Sequence, residues 1–414
     1  MTICFINSLA FGRHIYIRLV GEKMIVPFNY IKINHTEIDQ EILNIENRTR
    51  TNLFAWNGQF SPQFIEAMLS KYVNTNDIVY DPFLGSGTTL YECARKNITA
   101  LGTELNPSAY YISKVYELSN LNSSQRCVLI DTIDELLHNI ETEADIIPII
   151  TAQINEHASS TYSNVLSLLI VLFDIFNNEL TLTLAALKWQ KLKEIIVKLP
   201  FSSSVISVFL GDSRKSGLND DSINVVLTSP PYINVFNYHQ KYRRSVEALG
   251  FDVLSIAKQE FGSNRKNRGN RFLTVIQYCI DMALSIRELI RIGKNDARFI
   301  LVVGKESQVL SFAFCNSELV YRIGSEILGL KFLLKQQRCF KNRFGQLIYE
   351  DILHFENNKI ACEKLKEIDI INQARKIAKN YLDQKSKGTD DTNKNYNLLI
   401  SAINDAEKVN ASEE

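Results

Sequence analysis

The 414-residue chain has no excess of charge: 46 Lys and Arg stand against 46 Asp and Glu. That balance excludes a uniformly basic nucleic-acid wrapper and an acidic-tailed protein. A cysteine pattern is also missing. The 7 cysteines are odd in number and form no CxxC pair, which speaks for reduced thiols in the cytoplasm and against zinc or any other bound metal. Long apolar runs are lacking too. The longest stretch, 165–187, is broken by Asp174, Asn177, Asn178 and Glu179, so it reads as buried helix and not as a membrane span. The first twenty residues carry no basic start, apolar segment or small-residue cleavage site, so no targeting signal is expected. What is present is the make-up of a soluble globular chain, 45% apolar and 22% charged, with enough length for two or three domains.

Residues 1–60 read as an irregular or short-strand arm. Ser61-Pro62 offers a helix start, followed by Phe64, Ile65, Met68, Leu69 and Tyr72 at helical spacing. A short apolar strand, 77–80, runs into Asp81-Pro82-Phe83-Leu84-Gly85-Ser86-Gly87-Thr88-Thr89 and a helix to about residue 96. A second strand ends at Glu104, and Asn106-Pro107 opens another helix. Strand-helix alternation of this kind predicts a doubly wound, Rossmann-like α/β sheet. The alternation stops over 117–200, which reads as helices only and holds 11 acids against 5 Lys or Arg. Such an acidic, all-helical insertion suits packing or dimerisation better than a phosphate-facing surface. Strands resume at 205–210, 223–227 and 298–304, with a final hairpin of 332–340 and 351–355 around Phe344-Gly345. The expected organisation is therefore an arm (1–60), a split α/β domain (61–116 and 201–356), the insertion (117–200) and a helical tail (357–414) whose extreme end frays.

Two motifs carry chemistry. In the first, Gly85 and Gly87 let the backbone take positive φ and approach a ligand closely, and the loop opens a helix whose N-terminal N–H groups attract an anion. Such a loop alone can be a plain tight turn. Glu104 near the end of the next strand, where an acid can accept from ribose hydroxyls, turns the reading toward a nucleoside cofactor. No Gly-Lys-Ser or Gly-Lys-Thr follows, so this is not a Walker loop. In the second, Thr228-Ser229-Pro230-Pro231-Tyr232 follows a strand. The prolines hold a rigid turn; a hydroxyl before them and a ring after them suit a planar, amino-bearing base. A merely proline-stiffened loop is the plainer alternative.

Together the two motifs resemble those of the DNA amino-methyltransferases, enzymes that use S-adenosylmethionine to methylate the exocyclic amine of cytosine or adenine. The resemblance runs from about Ser61 to Phe355, apart from the insertion. It implies a methyltransferase sheet that is mostly parallel with an antiparallel terminal hairpin. It implies that Asp81, Pro82, Phe83, Gly85, Ser86, Gly87 and Thr88 line the cofactor, that Glu104 holds the ribose, and that Asp212 faces the adenine amine. A turn or cap residue is the plainer alternative for Asp212. Ser229, Pro230, Pro231 and Tyr232 would be catalytic. Serine in the first place of that motif favours cytosine N4 over adenine N6. Phe60 and Phe64 are candidates for closing over the methionine end, with core packing open for Phe64. Double-stranded DNA with a flipped base is the implied partner, in a restriction-modification or related defence setting with a cognate endonuclease. An adenine-N6 enzyme and an inactive DNA-binding or scaffold subunit remain as alternatives. No Pro-Cys dipeptide occurs, which argues against carbon-5 cytosine methylation.

Beyond the second motif lies a basic, aromatic stretch. Tyr238, Lys241, Arg243, Arg244, Arg265, Lys266, Arg268 and Arg271 are candidates for DNA contact, because a basic, glycine-containing loop beside a base pocket suits phosphate clamping and stacking. A solvated loop is the alternative. His239, Cys93 and Cys279 read as ordinary hydrogen-bonding or packing residues.

Overall fold

The computed structural model describes residues 3–6, 15–20, 23–233, 240–261, 267, 269–342, 344–389 and 392–412. The chain divides into two compact units. The first comprises Met1–Asn44, Gly217–Val235 and Phe261–Glu414; the second comprises Ile45–Ser216 and Phe236–Glu260.

In chain order, strands β1 (Ile3–Ile6), β2 (Ile15–Val20) and β3 (Lys23–Ile25) form a small antiparallel sheet. Helix α1 (Gln40–Asn44) and helix α2 (Pro62–Tyr72) follow. Then come β4 (Ile78–Asp81), α3 (Thr88–Arg95), β5 (Thr99–Glu104) and α4 (Pro107–Lys114). The helical segment contains α5 (Ser123–His138), α6 (Ile146–Glu156), α7 (Thr161–Phe173) and α8 (Leu182–Lys198). Strands β6 (Ile206–Leu210) and β7 (Ile223–Thr228) precede the short helices α9 (Arg243–Ala248) and α10 (Val253–Gln259). Next are α11 (Leu273–Ile292), β8 (Gly293–Gly304), β9 (Glu306–Val309), β10 (Phe312–Cys315) and α12 (Asn316–Arg322). The chain closes with β11 (Lys331–Lys341), β12 (Leu347–Glu356), α13 (Lys359–Cys362), α14 (Glu367–Lys387) and α15 (Tyr396–Asn404).

Strands β4 to β8, β11 and β12 pair mostly in parallel and end in an antiparallel hairpin, which is the expected α/β class. The second unit holds β4, β5 and β6, parallel and in that order. The first unit holds β7 and β8, parallel, then β12 and β11, antiparallel. Val79 and Tyr80 of β4 and Val225, Val226 and Leu227 of β7 are buried in succession, as expected of strands covered on both faces.

In the second unit the helical segment gathers around α7, which lies against α4, α6 and α8, and α4 in turn packs on β5 and β6. Its buried Val165, Leu166, Leu168, Leu169 and Ile170 explain why the long apolar stretch is core and not a span. Among the described residues no helix is long and apolar enough to cross a membrane.

In the first unit α11 is buried almost all round, and α14 lies against it. The tail is held as far as Ser412, and residues 413 and 414, where fraying is expected, lie outside the described residues. The Asp281 carboxylate of α11 accepts from the Ser412 backbone N–H at 2.8 Å and from its hydroxyl at 2.9 Å, and both residues are buried. The β9–β10 hairpin was not anticipated. Its two turn residues, Leu310 and Ser311, both have positive φ, the turn geometry that normally announces itself with Asn-Gly.

Candidate functional site

The glycine loop of the second unit is held by two carboxylates. Asp81 ends β4 and is buried. One of its oxygens accepts from the Phe83 N–H at 3.2 Å and the other from the Thr89 hydroxyl at 2.8 Å, so a single side chain ties both ends of the loop. Pro82 is buried and Phe83 half-buried. The loop is also pinned to β5, where Leu84 N–H donates to the Thr103 carbonyl at 3.1 Å. A Cβ at Gly102 would lie 2.7 Å from the Leu84 side chain, so β5 needs glycine there to let the loop close. Gly87 caps α3 with φ +82°, and a Cβ on it would meet the Tyr116 ring at 2.7 Å.

Glu104, at the end of β5, holds the loop from the other side. It accepts from the Gly85 N–H at 2.6 Å with one oxygen and from the Asn106 N–H at 2.8 Å with the other. Burial pushes its carboxyl up to about 7 against the pull of those two backbone donors. Each carboxylate oxygen has a second lone-pair site, and part of the Glu104 surface stays open. A ligand offering hydroxyl donors would complete it. Asn106 in turn caps α4 by accepting from Ser108 N–H at 2.9 Å.

Ser86 and Thr88 are spoken for by the protein. The Ser86 hydroxyl donates to Gln59 at 2.8 Å and the Thr88 hydroxyl to Asn52 at 2.9 Å. These partners, together with Trp56, come from the stretch that reads in sequence as an irregular arm. The Trp56 ring lies 3.7 Å from the point where a Gly85 Cβ would be, making it a wall of the loop. A lone tryptophan in an unpatterned stretch is too weak a signal to have placed it there. Phe64 is fully buried and packs on Phe60 with ring centroids 5.6 Å apart, which makes Phe64 a core residue.

Asp212 accepts from the backbone N–H of Arg214 at 2.8 Å and pairs with its guanidinium, whose Nε lies 3.0 Å from each carboxylate oxygen. The buried arginine therefore fixes the orientation of this carboxylate.

In the first unit, the turn after β7 carries Ser229, Pro230, Pro231 and Tyr232. Pro230 is buried and the other three are half-buried. The Tyr232 hydroxyl donates to Glu350 Oε1 at 2.8 Å and lies 3.4 Å from the Ser229 hydroxyl. Burial and the Glu350 charge hold the Tyr232 phenol far above its ordinary pKa, so it stays neutral. The following residue is anchored through Ile233 N–H to Asn316 Oδ1 at 3.5 Å, and Asn316 donates to the Gly304 carbonyl at 3.0 Å.

The basic candidates fare unevenly. Tyr238, Arg265, Lys266 and Arg268 lie outside the described residues. In the second unit Lys241 donates to the Ala55 carbonyl at 2.6 Å and sits over the rings of Trp56 and Tyr242; burial lowers its pKa. Arg243 pairs with Glu247 at 2.7 Å, and Arg244 lies over the Phe176 ring at 5.0 Å. Arg271, in the first unit, is half-buried. Among the described residues no group of three or more His, Cys, Asp or Glu side chains is placed to hold a metal ion.

Residues 24–115, which include the glycine loop and Glu104, match the family model described as DNA methylase, of the N6/N4 type. The chain is also 31% identical over 101 residues to a Type II methyltransferase, M.MjaII, of Methanocaldococcus jannaschii. That match covers 23% of this chain and 18% of the relative, so the chain spans under a fifth of the relative's length. Over this segment, which carries the glycine loop and Glu104, the chain is similar to the N4/N6 DNA methylases, the family its motifs imply. Among solved structures, a SAM-dependent methyltransferase of Methanosarcina mazei aligns with a TM-score of 0.34 and 11% identity, over 70% of this chain and 96% of that one. TrmN from Thermus thermophilus aligns at 0.32 and 12%, over 73% and 51%. Likenesses this faint decide nothing about chemistry.

Proposed function

We propose that the protein is a site-specific DNA methyltransferase that moves the methyl group of S-adenosylmethionine to the exocyclic N4 amine of cytosine. The observation that carries the reading is Glu104. Its partly open carboxylate joins the glycine loop to the start of α4 through Gly85 and Asn106, and burial raises its pKa to about 7 in spite of those two donors, so further donors would stabilise its charge. A ribose supplies two such donors at one place. The cofactor thus fits the residues present: Glu104 would hold the ribose, the loop from Asp81 to Thr88 would cradle the methionine half, and Asp212 would accept from the adenine amine. When bound, it provides an electrophilic methyl group on a sulfonium.

The remaining work falls to the turn at Ser229. An exocyclic amine is a weak nucleophile because its lone pair is delocalised into the ring. Accepting its protons at the Ser229 hydroxyl and the Pro230 carbonyl would free that lone pair, and Tyr232 would stack on the extruded base. Methyl transfer would make an N–C bond at the expense of the cofactor's S–C bond, with the thioether as leaving group and the surplus amine proton passing to water. Positioning of two reactants can supply on the order of 7–11 kcal/mol of barrier lowering, while extruding the base from the duplex costs a few kcal/mol. Serine at position 229 favours cytosine over adenine. A paired restriction endonuclease and a role in defence are part of this reading.

The test is expression in a methylation-free host followed by mass spectrometry of the nucleosides and genome-wide mapping of modified bases. N4-methylcytosine at a defined sequence is expected. N6-methyladenine would overturn the base assignment, and unmodified DNA would leave the inactive DNA-binding subunit as the better description.

A further inference from the structure

Tyr232 is seated by three strands of its own unit. In the sheet register Glu350 of β12 lies directly between Arg338 of β11 and Gly304 of β8. Arg338 grips the Glu350 carboxylate with its Nε at 2.6 Å and a terminal nitrogen at 2.5 Å, and both residues are buried. At the third position of the row there is no side chain. A Cβ on Gly304 would fall 2.6 Å from Tyr232 Cε2 and 2.8 Å from Cδ2, so the tyrosine ring occupies the space that a residue-304 side chain would fill. From there its hydroxyl reaches Glu350 Oε1 at 2.8 Å.

The directions of the hydrogen bonds follow from the chemistry. An ionised carboxylate only accepts, and Arg338 only donates, so Tyr232 must spend its proton on Glu350. Its oxygen is then left as an acceptor toward Ser229, whose hydroxyl lies 3.4 Å away. Between the two hydroxyls Ser229 is then the donor, which leaves its own oxygen able to accept. The 3.4 Å separation is long for two hydroxyls, as such distances are before a substrate draws the groups together.

We propose that the row Arg338–Glu350–Gly304 is a positioning device that fixes the Tyr232 ring and sets the Ser229 hydroxyl as a hydrogen-bond acceptor for the substrate amine. Glu350 and Arg338 act through Tyr232 and touch no reacting atom. Gly304 acts by leaving room. This rests on the methyltransferase reading of Ser229 and Tyr232 given above.

A double-mutant cycle tests it. Single-turnover transfer of labelled methyl groups from S-adenosylmethionine to DNA from a methylation-free host is measured for wild type, Glu350→Gln, Tyr232→Phe and the double variant. Each single change should slow the step by roughly 10–100-fold, the range for losing a hydrogen bond to a charged group, with cofactor affinity unchanged. The double variant should be no slower than Tyr232→Phe, because Glu350 has nothing left to act through. Multiplying losses, or a full-speed Glu350→Gln, would overturn the proposal. Should Glu350→Gln not fold, Gly304→Ala takes its place. It leaves the ion pair intact and displaces the ring, so the methyl-transfer rate should fall and cofactor binding persist; wild-type transfer would overturn the proposal. A wild-type protein that transfers no methyl group to DNA would instead fail the underlying reading.

Discussion

The Glu104 carboxylate accepts the backbone N–H of Gly85, nineteen residues earlier in the chain, at 2.6 Å. That one bond makes the strand-end acid and the glycine loop a single object, so whatever binds one is sensed by the other.

The first prediction concerns pH. Burial raises Glu104 to about 7 from an ordinary 4.5. A raised acid favours the fold while protonated, so its contribution is fully present below pH 4.5 and is lost as pH rises through 7. The stability of the wild type relative to Glu104→Gln should therefore decline across that window, read by denaturant unfolding. Affinity for S-adenosylmethionine should move the other way, because hydroxyl donors bind the ionised carboxylate. Calorimetric Kd should fall between about pH 5.5 and 7.5 in the wild type and stay flat in Glu104→Gln.

Asp81 ties Phe83 to Thr89 across the loop. Removing it leaves a loop N–H and a buried hydroxyl without their acceptor, at a cost of roughly 1–3 kcal/mol each. Asp81→Ala should abolish cofactor binding in calorimetry; unchanged affinity would remove the loop from the cofactor site.

His354 is buried in β12, with Nε2 2.9 Å from Gln336 Oε1 and Nδ1 3.2 Å from the Arg298 guanidinium. The ring donates through Nε2–H and accepts at Nδ1, so it is neutral. Burial and the neighbouring Arg298 hold its pKa down at about 3. A lowered histidine gives stability at neutral pH that is lost as pH falls below 6.5, where the unfolded chain takes up the proton first. The stability advantage of wild type over His354→Gln should shrink by roughly 1.4 kcal/mol per pH unit below about 6, measured by urea unfolding.

The basic candidates separate by what already holds them. Lys241 and Arg243 have protein partners for their charge or donors, so Arg243→Ala should change DNA affinity little. Reversing charge at Arg265, Lys266 and Arg268 should weaken DNA binding and flatten its dependence on salt, because every phosphate that is no longer neutralised takes about 0.9 off the slope. An unchanged slope in a filter-binding titration would make that segment a solvated loop.

Read as a string, the sequence already determined the α/β alternation, the positions of the glycine loop and the Ser-Pro-Pro-Tyr turn, and the acid at 104. Strands, turns and helix starts of this kind depend on residues within a few positions of one another, so local patterns report them. Tertiary structure alone decided the rest. Trp56, Gln59 and Asn52 become walls and partners of the glycine loop, and Ser412 becomes a ligand of Asp281, 131 residues away. The β9–β10 turn takes positive φ at Leu310 and Ser311 without glycine or asparagine. Most telling is the seat of Tyr232. Gly304, Arg338 and Glu350 are unremarkable in the chain, and only strand register sets them in one row. Register is a property of paired backbones, and no local pattern encodes which residue will stand beside which.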